Sequence, residues 1–95
     1  MSETERATLK ATVHGRVQGV GFRASAMRQA RRFGLDGWVR NEPDGTVRVV
    51  AEGPRSSLED MVGWLESGPS SAHVLKVDTR YAEFRGQYDG FRIEY

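Results

Sequence analysis

Ninety-five residues make one small domain with a single hydrophobic core and leave no room for a second. With 38% hydrophobic and 28% charged residues the chain has the profile of a stable globule, and 14 basic against 13 acidic residues leave a net charge of +1, too little for a broad field attracting DNA, RNA or anionic lipid. The absence of cysteine excludes disulfides and thiolate chemistry; no apolar run approaches the ~20 residues of a bilayer helix, and "MSETERATLK" does not begin like a signal peptide, so the cytoplasm is expected and a membrane is not.

Residues 1–5 are polar and are expected to form a flexible tail to a single domain spanning 1–95. "TLKATVHG" then alternates Leu9, Ala11 and Val13 with Lys10, Thr12 and His14, the period of a half-buried strand. From Phe22 the period lengthens: Phe22, Ala26, Ala30 and Phe33 share one helical stripe, with Arg28, Arg31 and Arg32 turned away from it. Gly34 suits the left-handed close of that helix, and the arginines of its last turn complement the negative end of the dipole without needing a ligand. "LDGWVRN" and "TVRVVAEG" flank the turn signal "EPDG" and predict a hairpin, with Trp38, Val47, Val49 and Ala51 as packing candidates. Gly53 and Pro54 open a second helix in which Leu58, Met61, Val62 and Leu65 repeat at helical spacing, and "SGP" closes it. A fourth strand is expected over Val74 to Val77 and a short last one over Phe91 to Tyr95, with a turn-rich polar span between. The order predicts an α+β fold, the ferredoxin-like split βαβ sandwich (βαββαβ), with an antiparallel sheet and two helices on one face.

Between the first strand and the first helix lies "HGRVQGVGFR". Gly15, Gly19 and Gly21 open backbone conformations closed to other residues and let a ligand approach the main chain. The free N–H groups and positive dipole end of the helix add a cradle suited to phosphate, and Arg23 in the first turn carries a fork that can hold two phosphate oxygens. A cation at that end of a helix is otherwise disfavoured, which makes sense where an anion regularly sits between them. On spacing alone a tight turn with a solvated Arg23 competes evenly with this reading, and no Gly-Lys-Ser/Thr follows to make a nucleotide loop. Asn41 ends the second strand before the turn, and the split βαβ topology brings it near the end of the first strand, facing Gly15 to Gly21.

These stretches together resemble the acylphosphatase family: "VHGRVQGVGFR" its signature loop, "GLDGWVRNEPDGTVRVVAEGP" its second signature, "GPSSAHVLKV" the fourth-strand region and "FRI" the closing strand. The resemblance implies a metal-free, cofactor-free hydrolase of acyl phosphates, with a small-molecule substrate and no nucleic acid or membrane partner. It implies further that Arg23 binds the phosphate, that Asn41 positions the attacking water, and that Gly15, Arg16, Val17, Gln18, Gly19, Val20, Gly21 and Phe22 line the substrate with their main chain. The chain departs from the family's pattern at Ala24, Ser25 and Glu42; only Ser25 offers a hydroxyl, and an inward Glu42 would oppose a dianion. His14 and His73, the two histidines, belong to no metal-ligand cluster. An RNA-binding module of the same fold would place aromatics on "TVRVVAEG", which has none. A domain fused to a larger maturation protein is a further alternative, but the chain ends at Tyr95, so a free-standing monomer is expected.

Overall fold

The computed structural model describes residues 5–95. In chain order the elements are β1 (Arg6–Arg16), α1 (Phe22–Arg32), β2 (Asp36–Asn41), β3 (Val47–Pro54), α2 (Arg55–Ser67), β4 (His73–Glu83) and β5 (Phe91–Glu94). They form a five-stranded sheet in the order β4-β1-β3-β2-β5, with β1, β2, β3 and β4 paired antiparallel as expected. β5 adds to β2 in parallel, Val39 opposite Ile93, which makes the sheet mixed at that edge.

One face of the sheet is covered by both helices. Leu9, Ala11 and Val13 of β1, Val47, Val49 and Ala51 of β3 and Val39 of β2 pack with Phe22, Ala26 and Ala30 of α1 and Leu58, Met61 and Leu65 of α2, all buried. Each such large side chain contributes on the order of 1.5–3 kcal/mol by leaving water. The helix stripes expected from the sequence are the buried ones, and Phe33 and Val62 pack half-buried at the margin of this core. α1 closes as expected: the N–H of Gly34 donates to Arg31 O at 3.0 Å and that of Leu35 to Ala30 O at 2.9 Å.

Two boundaries and the place of one side chain differ from expectation. β4 runs to Glu83 rather than Val77, because its pairing with β1 continues to Ala7 opposite Glu83; the polar run Asp78-Thr79-Arg80 hides the alternation, as suits an edge strand. Pro54 ends β3 and precedes α2 instead of entering its first turn. Trp38 lies half-buried on the face away from the helices, where the alternation of β2 puts it once Val39 faces the core. The expected flexible tail falls mostly outside the described residues, and Glu5 is anchored through its carbonyl, which accepts from Arg55 N at 2.7 Å.

Candidate active site

A pocket of about 240 Å³ opens between the β1–α1 loop, β2 and the end of β5, lined by Val17, Gly19, Gly21, Phe22, Arg23, Ala24, Asn41, Ile93 and Tyr95. β3 lies between β1 and β2, so Asn41 and β1 are not neighbours in the sheet. The loop closes that gap by carrying the chain from the end of β1 to α1, beside β2. Asn41 stands opposite Val47 in the ladder and so shares its face, the one the helices cover.

The loop is braced on both sides. Nε2 of Gln18 donates to the carbonyls of Glu42 at 2.8 Å and Thr46 at 2.9 Å, tying it to the β2–β3 turn. The Ser71 hydroxyl donates to the carbonyl of Val20 at 2.7 Å, from the segment before β4. Gly19 and Gly21 have φ of 73° and 75°, a left-handed conformation that side chains resist. The result is a run of main chain whose N–H groups, from Gln18 to Ala24, meet no protein acceptor among the described residues; the first helical bond of α1 is Ser25 N donating to Gly21 O at 3.1 Å. α1 begins with no side-chain cap and no acidic residue in its first turn. These are the orphan donors and positive dipole end that an anion satisfies.

Arg23 is half-buried in that first turn and makes no ion pair among the described residues; its guanidinium lies over the ring of Tyr95, 5.2 Å from the centroid. Asn41 supplies a different signal. Its Oδ1 is buried and has no hydrogen-bond partner among the described residues, a state that costs roughly 1–3 kcal/mol unless a donor arrives.

Of the residues named from the sequence, Val17, Gly19, Gly21, Phe22, Arg23 and Asn41 line one pocket. Gly15 and Arg16 instead finish β1, opposite Val74 and His73 beyond a shift in register. The Gln18 side chain braces the turn, and Val20 packs against the core. The departures fall outside the pocket wall in two cases. Glu42 accepts from Arg40 Nε at 2.8 Å, and Ser25 Oγ accepts from Arg28 Nη2 at 3.1 Å. The sequence marks Ile93 and Tyr95 only as part of a short last strand; the parallel register of β5 on β2 brings them to the pocket, which no local pattern announces. Among the described residues no three His, Asp or Glu side chains gather where they could hold a metal ion.

The chain is similar to known proteins over most of its length. The family model described as acylphosphatase matches residues 9–93. An acylphosphatase of Roseiflexus sp. is 53% identical over 81 residues, 85% of this chain and 87% of that protein. One of Thiobacillus denitrificans is 49% identical over 84 residues, 88% and 92% of the two chains. The crystal structure of acylphosphatase from Bacillus subtilis superposes with a TM-score of 0.90 at 34% identity, covering 94% of this chain and 99% of that one.

Proposed function

The chain belongs to the acylphosphatase family, and from that premise we propose that Arg23, Asn41 and the loop from Gly15 to Phe22 divide the work of hydrolysing an acyl phosphate. The substrate phosphate sits against the N–H groups between Gln18 and Ala24, with the fork of Arg23 on two of its oxygens. Gly15 and Arg16 set where that run begins, the Gln18 side chain ties it to the carbonyls of Glu42 and Thr46, and the Ser71 hydroxyl donates to the carbonyl of Val20.

The buried, unpartnered Oδ1 of Asn41 carries this reading. It accepts a hydrogen bond from a water molecule and so aims the water oxygen at phosphorus. A carboxamide is no base at neutral pH, and none is required. As the new P–O bond forms, the bond from phosphorus to the acyl oxygen breaks; the electron pair leaves on a carboxylate, whose conjugate acid has a pKa of roughly 4–5 by analogy with Asp and Glu. One water proton passes to a phosphate oxygen. The protein's part is positioning and stabilisation of charge on the equatorial oxygens. In this reading the monomer is the acting unit.

Phosphate release from benzoyl phosphate tests the reaction, with EDTA expected to leave turnover unchanged. Run in ¹⁸O-labelled water, the label is expected in phosphate. Label in benzoate would mean attack at the carbonyl carbon and would overturn the role given to Asn41.

A further inference from the structure

We propose that the face of the sheet away from the helices carries a second anion site, formed by Lys10, Arg48 and Arg80, that takes ligands bearing linked phosphate groups. Lys10 of β1 is the direct cross-strand partner of Arg80 on β4. It is also opposite Val50 on β3, which makes Arg48, two residues earlier, its diagonal neighbour on the same face. Direct partners on a sheet are about 5 Å apart and diagonal ones about 7–8 Å, and like charges so placed repel.

The chain does not relieve this repulsion. Among the described residues none of the three makes an ion pair. Asp78 takes His14 Nε2 at 2.9 Å and Lys76 Nζ at 3.9 Å. Glu42 takes Arg40, the cross-strand partner of Arg48, at 2.8 Å. Glu52 is buried and accepts from Thr8 Oγ1 and from the N–H groups of Arg85, Gly86 and Gln87. Glu52 and Glu83 line the neighbouring cleft and Asp78 the first, so these three acids bound the site.

Two shallow clefts meet over the cluster. One, of about 230 Å³, has Lys10, Arg48 and Arg80 with the hydroxyl-bearing Thr12 and the carboxylate of Asp78, which His14 and Lys76 already hold. The other, of about 220 Å³, shares Lys10 and Arg48 and is walled by Trp38 and Tyr88. Two cations suffice for a single phosphate; three side chains converging from three strands match several charges held close together. An arginine fork on each side with a lysine between is suited to successive phosphates of one chain. Free oligophosphate and the tail of a nucleoside polyphosphate share that chemistry, and the aromatic cleft distinguishes them by offering room for a base.

The test is calorimetric titration of tripolyphosphate and ATP into Arg23→Gln protein, which disables the catalytic cradle on the other face. Saturable, salt-weakened binding is expected, falling at least 10-fold when Lys10→Gln and Arg48→Gln are added and kept in Lys10→Arg. In the otherwise unaltered chain the Lys10→Gln, Arg48→Gln pair is expected to turn over benzoyl phosphate normally, which also reports correct folding. ATP binding tighter than tripolyphosphate assigns the Trp38–Tyr88 cleft to the base; equal affinity assigns the site to the phosphates alone. No saturation at millimolar ligand, or binding indifferent to Lys10 and Arg48, overturns the proposal. So does a single-stranded oligonucleotide that binds far more tightly than both at the same salt, since the face would then be a nucleic-acid surface.

Discussion

Two loops in this molecule present a run of main-chain N–H groups outside the sheet and helix ladders, and differ in whether the chain supplies an acceptor for them. After β4, the N–H groups of Arg85, Gly86 and Gln87 donate to the carboxylate of Glu52 at 3.1, 3.1 and 2.9 Å, and Thr8 Oγ1 adds a fourth bond at 3.1 Å. Glu52 is 1% exposed, so the chain fills that nest itself and shuts it. After β1, the comparable run ends at a helix start with no cap, no acid and a half-buried arginine. One nest fastens the β4–β5 connection over the sheet, and the other, in the function proposed above, takes the substrate. A nest becomes a binding site when the chain withholds its own anion.

Breaking the open nest should have the largest effect. Arg23→Gln is expected to lower kcat/KM by on the order of 10² or more through both kcat and KM, since it removes a charge-assisted donor from the phosphate. Asn41→Ala is expected to lower kcat by on the order of 10² with KM nearly unchanged, because it touches the water and not the phosphate. Steady-state kinetics on benzoyl phosphate separate the two. Neither change should lower the melting temperature appreciably; full activity in a folded Asn41→Ala protein would remove its assigned role.

The filled nest predicts the converse. Glu52→Gln replaces the charge under four donors with an amide that can accept at only one of its two terminal atoms, so it is expected to cost about 2 kcal/mol of stability in a denaturant titration. Turnover of the molecules that remain folded should be kept, because Glu52 lies on the face away from the pocket. A smaller exchange sharpens the contrast. Ala24→Asp puts a carboxylate on the first turn of α1, in the pocket wall. It should stabilise the helix by about 0.3–1 kcal/mol through the dipole while raising KM several-fold by repelling the dianion. Stability up and affinity down together is the outcome to measure, and a gain in both would contradict an empty, anion-seeking helix end.

How far this was legible in the sequence differs between the same two loops. The glycines and Arg23 lie within nine residues, so the open nest announces itself locally, and the helix and strand periods on either side fix the face that Arg23 and Asn41 share. The filled nest joins Glu52 to residues 85–87 across more than thirty positions, and nothing near Glu52 in "VRVVAEG" marks it as a buried carboxylate. Ile93 and Tyr95 were hidden for the same reason: their place depends on the pairing of β5 with β2, a non-local choice. The cations of the open sheet face are invisible in a net charge of +1 and emerge only when three strands are laid side by side.

A second self-filled arrangement sits at the tip of the β2–β3 turn and extends the comparison to solvent. Asp44 Oδ1 accepts from Thr46 Oγ1 at 2.6 Å and from Thr46 N at 3.0 Å. Those bonds, the hydroxyl first, hold its carboxyl below the ordinary value of 3.8, with His14 adding a favourable charge. Because the folded pKa is depressed, the stabilisation is present in full above that ordinary value and fades as pH falls through the lower folded one. Asp44→Asn should therefore unfold slightly more easily than the parent at neutral pH, and the two denaturation curves should converge in acid once the carboxyl is protonated in both states. A gap that stays constant across that range would mean that Thr46 contributes through turn geometry alone. The effect should be the smallest of the set, because water competes for an exposed carboxylate as it cannot for Glu52. Activity at neutral pH is still the informative control: Gln18 holds the Thr46 carbonyl, so a loosened turn would show itself as a raised KM before it showed as lost stability.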